Sequence, residues 1–172
     1  MKRSNKTYRL AAVAAAGALV LAACGGSSDK SEGSGSSDAK GDGVLTIGQL
    51  LPQTGSLAFL GPPEFAGVDL AIKDINAAGG VLGKDVVGVR GDSGDTDNAL
   101  APAETDKLLK AKSDVIIGAA SSGVSLTVID KIMSAGAIMF SPANTSTAFD
   151  EGDYSKPDLY FRTAPSDILQ GA

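Results

Sequence analysis

Two turns of this chain carry the side chains best suited to gripping a small polar molecule. Ser121-Ser122-Gly123 follows one short apolar run, and Ser141-Pro142-Ala143-Asn144-Thr145-Ser146 follows another. Small hydroxyl residues let a guest approach the backbone while offering donors and acceptors of their own. Ser122 also precedes a stretch with helical spacing, where unpaired N–H groups and the helix dipole favour an anion. A carboxylate held there would gain charge-assisted hydrogen bonds worth about 1.5–3 kcal/mol each. The same spacing suits a serine that caps its own helix, and the two roles can coexist.

Composition removes several other chemistries. The chain has 172 residues and no histidine. A Ser-His hydrolase or a His-ligated metal site therefore cannot be completed within it. Ser121-Ser122-Gly123 is also not the G-x-S-x-G of a nucleophile elbow. Leu51–Pro62 lacks the G-x-G-x-x-G of a dinucleotide site, although Asp92 stands where such enzymes place a ribose-binding acid. Asp92–Asn98 is rich in aspartate, but an EF-hand loop starting at Asp95 would need Gly and Glu where Leu100 and Asp106 stand. That segment reads as a solvated loop leading into a helix. The formal charge of −5 disfavours nucleic acid, which needs a basic face. No cofactor, metal or catalytic residue is implied. A single cysteine, Cys24, excludes an intrachain disulfide.

The turns must be held by the elements around them. Val44–Leu50 reads as a first strand, followed by a turn-rich loop that carries Phe59 and Leu60. A helix over Pro63–Ala78 follows, with Phe65, Val68, Ile72 and Ile75 on one face. Asp69 and Lys73, four apart, are placed for a surface ion pair. The spacing predicts a second strand near Asp85–Arg90 and a helix from about Asn98–Pro102 to Ala111. A third strand over Asp114–Ile117 is apolar enough to be buried on both faces. A helix over Gly123–Ala135, a strand over Ala137–Phe140, a strand over Leu159–Thr163 and a helix start near Ser166 complete the alternation. Such alternation predicts an α/β fold: an open parallel sheet with helices on both faces. Ligands of such sheets bind beyond the carboxyl ends of the strands, which is where both hydroxyl-rich turns fall.

Ahead of this module the composition changes twice. Met1–Arg9 holds Lys2, Arg3, Lys6 and Arg9 with no acid, and Leu10–Ala23 is uncharged and 14 residues long. That is too short for the roughly 20 residues of a membrane-spanning helix, but it fits a secretory signal peptide. Leu21-Ala22-Ala23-Cys24 resembles the lipobox of bacterial lipoproteins, which implies lipid attachment at Cys24 and a signal peptide over residues 1–23. Four of the 15 basic residues lie in this leader, so the remainder carries a formal charge of −9. An anchor on an anionic membrane surface would then be lipid rather than electrostatic. Gly25–Gly43 contains six Gly and six Ser among 19 residues. It reads as a flexible tether of about 25 Å end to end, leaving residues 44–172 as the folded lobe.

The order of segments also resembles a family. GQLLPQTGSLAFLGPPEFAGVDLAIKDINAAGGVLGKDV, IIGAASSGVS, SPANTSTAF and YFRTAPSD are together similar to type I periplasmic solute-binding proteins of ABC transporters, the Leu/Ile/Val-binding group in particular. The resemblance implies a protein of two α/β lobes that close on a solute, with this chain supplying most of the first lobe. It implies a carboxylate grip at Ser122, beside Ser121, and an ammonium grip by the Ala143 carbonyl and the Thr145 hydroxyl. Leu60 stands where the family often has a covering aromatic, with Phe59 beside it, and Asn144 stands where a small residue is common. The implied partners are an amino acid or related small carboxylate or amide, a transporter permease, and the membrane outside the cytoplasm. A ligand-sensing module of the same fold, reporting to a signalling partner, is the alternative.

Overall fold

The computed structural model describes residues 41–151, 154 and 159–170. Cys24 and most of the tether lie outside them. Five strands form one sheet: β1 (Thr46–Leu51), β2 (Val87–Asp92), β3 (Val115–Gly118), β4 (Ile138–Ser141) and β5 (Tyr160–Arg162). Their order is β2-β1-β3-β4-β5, and every neighbouring pair is parallel. The chain moves outward from β1 to β2 and then returns across β1 to β3. The direction of winding therefore reverses between β1 and β3, where open α/β sheets form their ligand crevice.

Helices α1 (Gly61–Ala77), α2 (Ala101–Lys110), α3 (Ser122–Ser134) and α4 (Asp167–Gln170) alternate with the strands as expected. Observed boundaries differ from the sequence reading by only a few residues. Helix α1 starts two residues early because Pro62 and Pro63 fit a first turn, where a missing N–H costs nothing. Strand β2 starts two residues late. A tight turn joining Val81 N–H to the Lys84 carbonyl at 2.8 Å occupies the preceding chain.

The sheet is covered on both faces. Gly88 faces Ile72 of α1, and Gly91, an odd number of residues along the strand, faces Leu108 of α2. The main core lies on the α2–α3 side and contains Leu50, Leu108, Ile116, Val128, Ile129, Ile132, Met139, Phe149 and Tyr160. Full burial of each aliphatic side chain there is worth about 1.5–3 kcal/mol. The α1 side is thinner. Only Phe65 of the expected apolar face is buried, while Val68, Ile72 and Ile75 are half-buried. Strand β3 is accordingly buried on one face and half-buried on the other, not buried on both.

The expected Asp69–Lys73 pair is replaced. Asp69 accepts from Gln49 Nε2 at 3.0 Å and forms an ion pair with Arg90 on β2. Position 69 lies one turn beyond Phe65, on the side that meets β1 and β2, so its carboxylate reaches the sheet before it reaches Lys73.

Candidate functional site

The loops that leave the carboxyl ends of β1 to β4 form one continuous rim. The loop after β1 is fastened to the loop after β2 by Asp92 and Asp95. Asp92 Oδ1 accepts from the backbone of Gln53 at 2.9 Å and Gly94 at 2.8 Å, while Oδ2 accepts from the Thr54 hydroxyl at 2.6 Å. Asp95 accepts from the Ser56, Asp97 and Asn98 amides. Thr96 then touches the start of α3: a Cβ added at Gly123 would lie 2.9 Å from Thr96 Cγ2.

Burial pushes the Asp92 carboxyl up, but the hydroxyl and amide donors outweigh it and hold the group below its ordinary 3.8. Asp95 is also held below 3.8, chiefly by the Ser56 amide and against a smaller desolvation cost. Sequence reasoning treated this segment as merely solvated. Its signal was present, since Asp followed two residues later by an N–H it can bond is the pattern of an Asx turn.

The β3 loop begins at a position that only glycine fits. Gly118 has φ +128°, and a Cβ there would meet the Leu50 carbonyl oxygen at 1.9 Å. Beyond it, Ala119 is fully buried and its carbonyl accepts from Ser141 Oγ at 2.7 Å and Asn144 Nδ2 at 3.0 Å. The cap of α3 is Ser121, not Ser122: Ser121 Oγ accepts from the Val124 amide at 3.4 Å. Ser122 is the first helical residue, so its side chain is released from capping.

That side chain joins the two turns. Ser122 Oγ accepts from the amide of Thr145 at 3.2 Å and from that of Ser146 at 3.3 Å. A hydroxyl has two acceptor positions and one proton. With both acceptor positions taken by amides, the oxygen of Ser122 can serve a guest only by donating its proton. Among the described residues, the backbone N–H groups of Ser122 and Gly123 have no acceptor, as expected for a first helical turn. Donors therefore dominate this corner.

The β4 turn lies beside it. Ala143 is half-buried, and its amide donates to Ser141 Oγ at 3.3 Å. Thr145 is half-buried; its carbonyl accepts from the Asp167 amide at 2.8 Å, and its hydroxyl has no partner among the described residues. Asn144 is placed differently from its neighbours. It is 0% exposed, donates to the carbonyls of Ala119 and Ala120 at 3.0 Å each, and accepts from the Tyr160 hydroxyl at 3.1 Å. It thus lies beneath the rim, tying both turns together, and has no surface to present to a solute.

Phe59 and Leu60, in a 3-10 turn ahead of α1, lie on the first loop; Phe59 is 71% exposed. A cavity of about 370 Å³ lies around Lys112 and Asp114 at the amino end of β3, and one of about 390 Å³ is lined by Pro52, Gln53 and Ala58 of the first loop with Phe65 and Arg90; neither includes Ser122 or Thr145, whose corner is open. A solute resting on Ser122 would stay wet until a second surface covered it.

An open parallel sheet with donor-rich loops beyond its carboxyl edge is the architecture of a solute-binding lobe. The chain belongs to the periplasmic binding protein family, which it matches over residues 44–169. A relative, Leu/Ile/Val-binding protein homolog 7 of Brucella abortus, is 40% identical over 80 residues, 46% of this chain and 20% of the relative. The branched-chain amino acid transporter substrate-binding protein LivJ of Streptococcus pneumoniae, solved with isoleucine, has a similar fold. It is 30% identical at a TM-score of 0.62, over 72% of this chain and 34% of that one. An ABC transporter substrate-binding protein of Desulfitobacterium hafniense, solved with Leu, is 28% identical at a TM-score of 0.61, over 73% and 35%. The chain thus spans about a third of the length of these solved structures. The family and these neighbours are solute-binding proteins, not enzymes. No described helix is long and apolar enough to cross a membrane.

Proposed function

We propose that this chain is the ligand-receiving lobe of an extracytoplasmic substrate-binding lipoprotein that delivers an amino acid, or a related small carboxylate or amide, to an ABC importer. The observation that carries the reading is the polarity of Ser122. Its oxygen accepts from two amides, so its proton is left to donate, at the N-terminus of a 13-residue helix. A carboxylate is the solute group that such a corner favours.

Ser121 holds the helix start, while the Ala143 carbonyl and the Thr145 hydroxyl offer acceptors for an ammonium. Phe59 and Leu60 supply apolar contact from the first loop. Asn144 acts from beneath, as the tie that keeps the two turns together. The amino acids bound by the similar solved proteins support an amino-acid solute here. A second lobe closes over the rim by a hinge motion, and the transporter permease reads the closed form. Residues 1–23 serve as the signal peptide, Cys24 bears the lipid, and residues 24–43 are the tether. No chemistry is performed on the solute.

Calorimetry of the full-length protein against the L-amino acids and their carboxamides tests this reading. At least one amino acid is expected to bind, and Ser122→Ala to weaken it by about tenfold or more, with less effect on a carboxamide. Unchanged affinity would remove Ser122 from the site, and no binding by any amino acid would remove the solute class. Cys24→Ser should move the protein from the membrane fraction to the soluble one; retention would refute the lipid anchor.

A further inference from the structure

We infer that Arg162, at the end of β5, is the positioning residue that sets the direction of the Ser122 proton. The inference rests on the carboxylate reading above and adds a residue to it. Arg162 does not reach Ser122. It acts on the chain that fills the acceptor positions of that serine.

Arg162 Nη1 donates to the Ser146 carbonyl at 2.8 Å, and Nη2 forms an ion pair with Asp150. The Arg162 side chain is only 14% exposed, and its guanidinium carbon lies 5.9 Å from the centre of the Phe149 ring. Asp150 accepts in turn from the Ser166 hydroxyl. The Asp167 amide holds the Thr145 carbonyl at 2.8 Å.

The consequence is local geometry. The peptide joining Thr145 to Ser146 is gripped at its oxygen by Asp167 and at its nitrogen by Ser122. The next peptide is gripped at its oxygen by Arg162. With the Thr145 carbonyl held by Asp167 and the Ser146 carbonyl held by Arg162, and at 3.4 Å by the Phe149 amide, the Ser146 amide stays on Ser122 Oγ beside that of Thr145, and the hydroxyl has no acceptor position left. Loosening the Ser146 carbonyl would let the Ser146 backbone rotate and draw its amide away from Ser122. Ser122 could then rotate and accept, and the preference for a carboxylate over an uncharged amide would fall.

Arginine suits this role because its planar fork serves two acceptors at a fixed angle. A lysine ammonium, a single nitrogen with rotatable donors, would not hold the Ser146 carbonyl and Asp150 at that fixed angle.

The test is a double-mutant cycle in the full-length protein. The probes are the L-amino acid it binds most tightly and the carboxamide of that amino acid. Arg162→Lys is expected to lower the carboxylate-over-carboxamide preference by about tenfold. In a Ser122→Ala background the same change should have almost no further effect on that preference. A merely structural role would weaken both ligands alike, and additive losses would likewise overturn the inference. If Ser122→Ala alone changes nothing, the carboxylate reading fails instead, so the two failures are distinguishable. Should Arg162→Lys not fold, Asp150→Asn decides. It keeps an acceptor for the guanidinium while removing the charge, and a smaller loss with the same dependence on Ser122 is required of it.

Discussion

The rim contains two kinds of fastening. The turns after β3 and β4 are joined by neutral groups, several of them buried: Ser122 to the Thr145 and Ser146 amides, Ser141 to Ala119, and Asn144 to Ala119, Ala120 and Tyr160. The loop after β1 is joined to the loop after β2 by two carboxylates, Asp92 and Asp95, with most of the participating backbone exposed. Neutral buried bonds do not respond to pH near neutrality and leave a large penalty when one partner is removed. Carboxylate bonds near solvent are lost by protonation. The corner proposed to receive the solute is therefore the rigid part of the rim, and the apolar edge around Phe59 is the part that conditions can loosen.

The largest expected effect tests the rigid side. Asn144→Leu keeps the volume but removes the partner of the Ala120 carbonyl and of the Tyr160 hydroxyl, while the Ala119 carbonyl keeps Ser141. With about 1–3 kcal/mol for each unpaired buried group, a loss of roughly 3 kcal/mol or more is expected in urea unfolding of the full-length protein. A loss below about 1 kcal/mol would show that Asn144 does not join the turns.

The next effect tests the contrast in pH response. Both carboxyls titrate below 3.8 when folded. Depressed folded values contribute stability that is complete above the unfolded value of about 3.9 and lost as pH falls through the folded ones. In a titration followed by NMR, the amide signals of Gln53, Thr54 and Ser56 should move as pH falls below about 4, while the side-chain amide signals of Asn144, which bond two neutral carbonyls, stay fixed. Asp92→Asn should abolish the movement at Gln53 and Thr54, at a cost in stability of about 1.5–3 kcal/mol. Equal movement at both sets of amides would erase the distinction between the two fastenings.

The smallest effect comes from Tyr160, which closes the neutral network. Its hydroxyl is pushed up to about 12 by burial, lowered in part by Arg162 and raised further by Asp150. The neutral form is thus favoured in the fold, so its contribution is complete below the unfolded value of about 10 and lost as pH rises toward 12. Tyr160→Phe is expected to cost about 1 kcal/mol at neutral pH and to flatten the alkaline decline in thermal stability. An unaltered alkaline profile would place the titrating group elsewhere.

How much of this was legible beforehand depended on how far apart the interacting residues are. The alternation of β1, α1, β2 and α2 follows from spacing within windows of a dozen residues, as do the parallel sheet and the position of both hydroxyl-rich turns at strand ends. Those are local consequences of period, Pro and Gly placement. The family resemblance of residues 44–169 was likewise carried by short segments in order. Finer assignments failed where a neighbour distant in sequence competed. Asp69 prefers Gln49 and Arg90, 20 and 21 residues away, to Lys73. Asn144 was expected at the site surface, but its amide matches two buried carbonyls of another loop.

Sequence alone determined the layered α/β architecture, the acidic and histidine-free composition that bars several chemistries, and the hydroxyl character of the rim. Tertiary structure decided which serine caps α3, which side chain lies beneath the rim, and which way the Ser122 proton can point. The reason is physical. Periodicity is a property of one segment, whereas a hydroxyl acquires a direction only when groups from another strand occupy its acceptor positions.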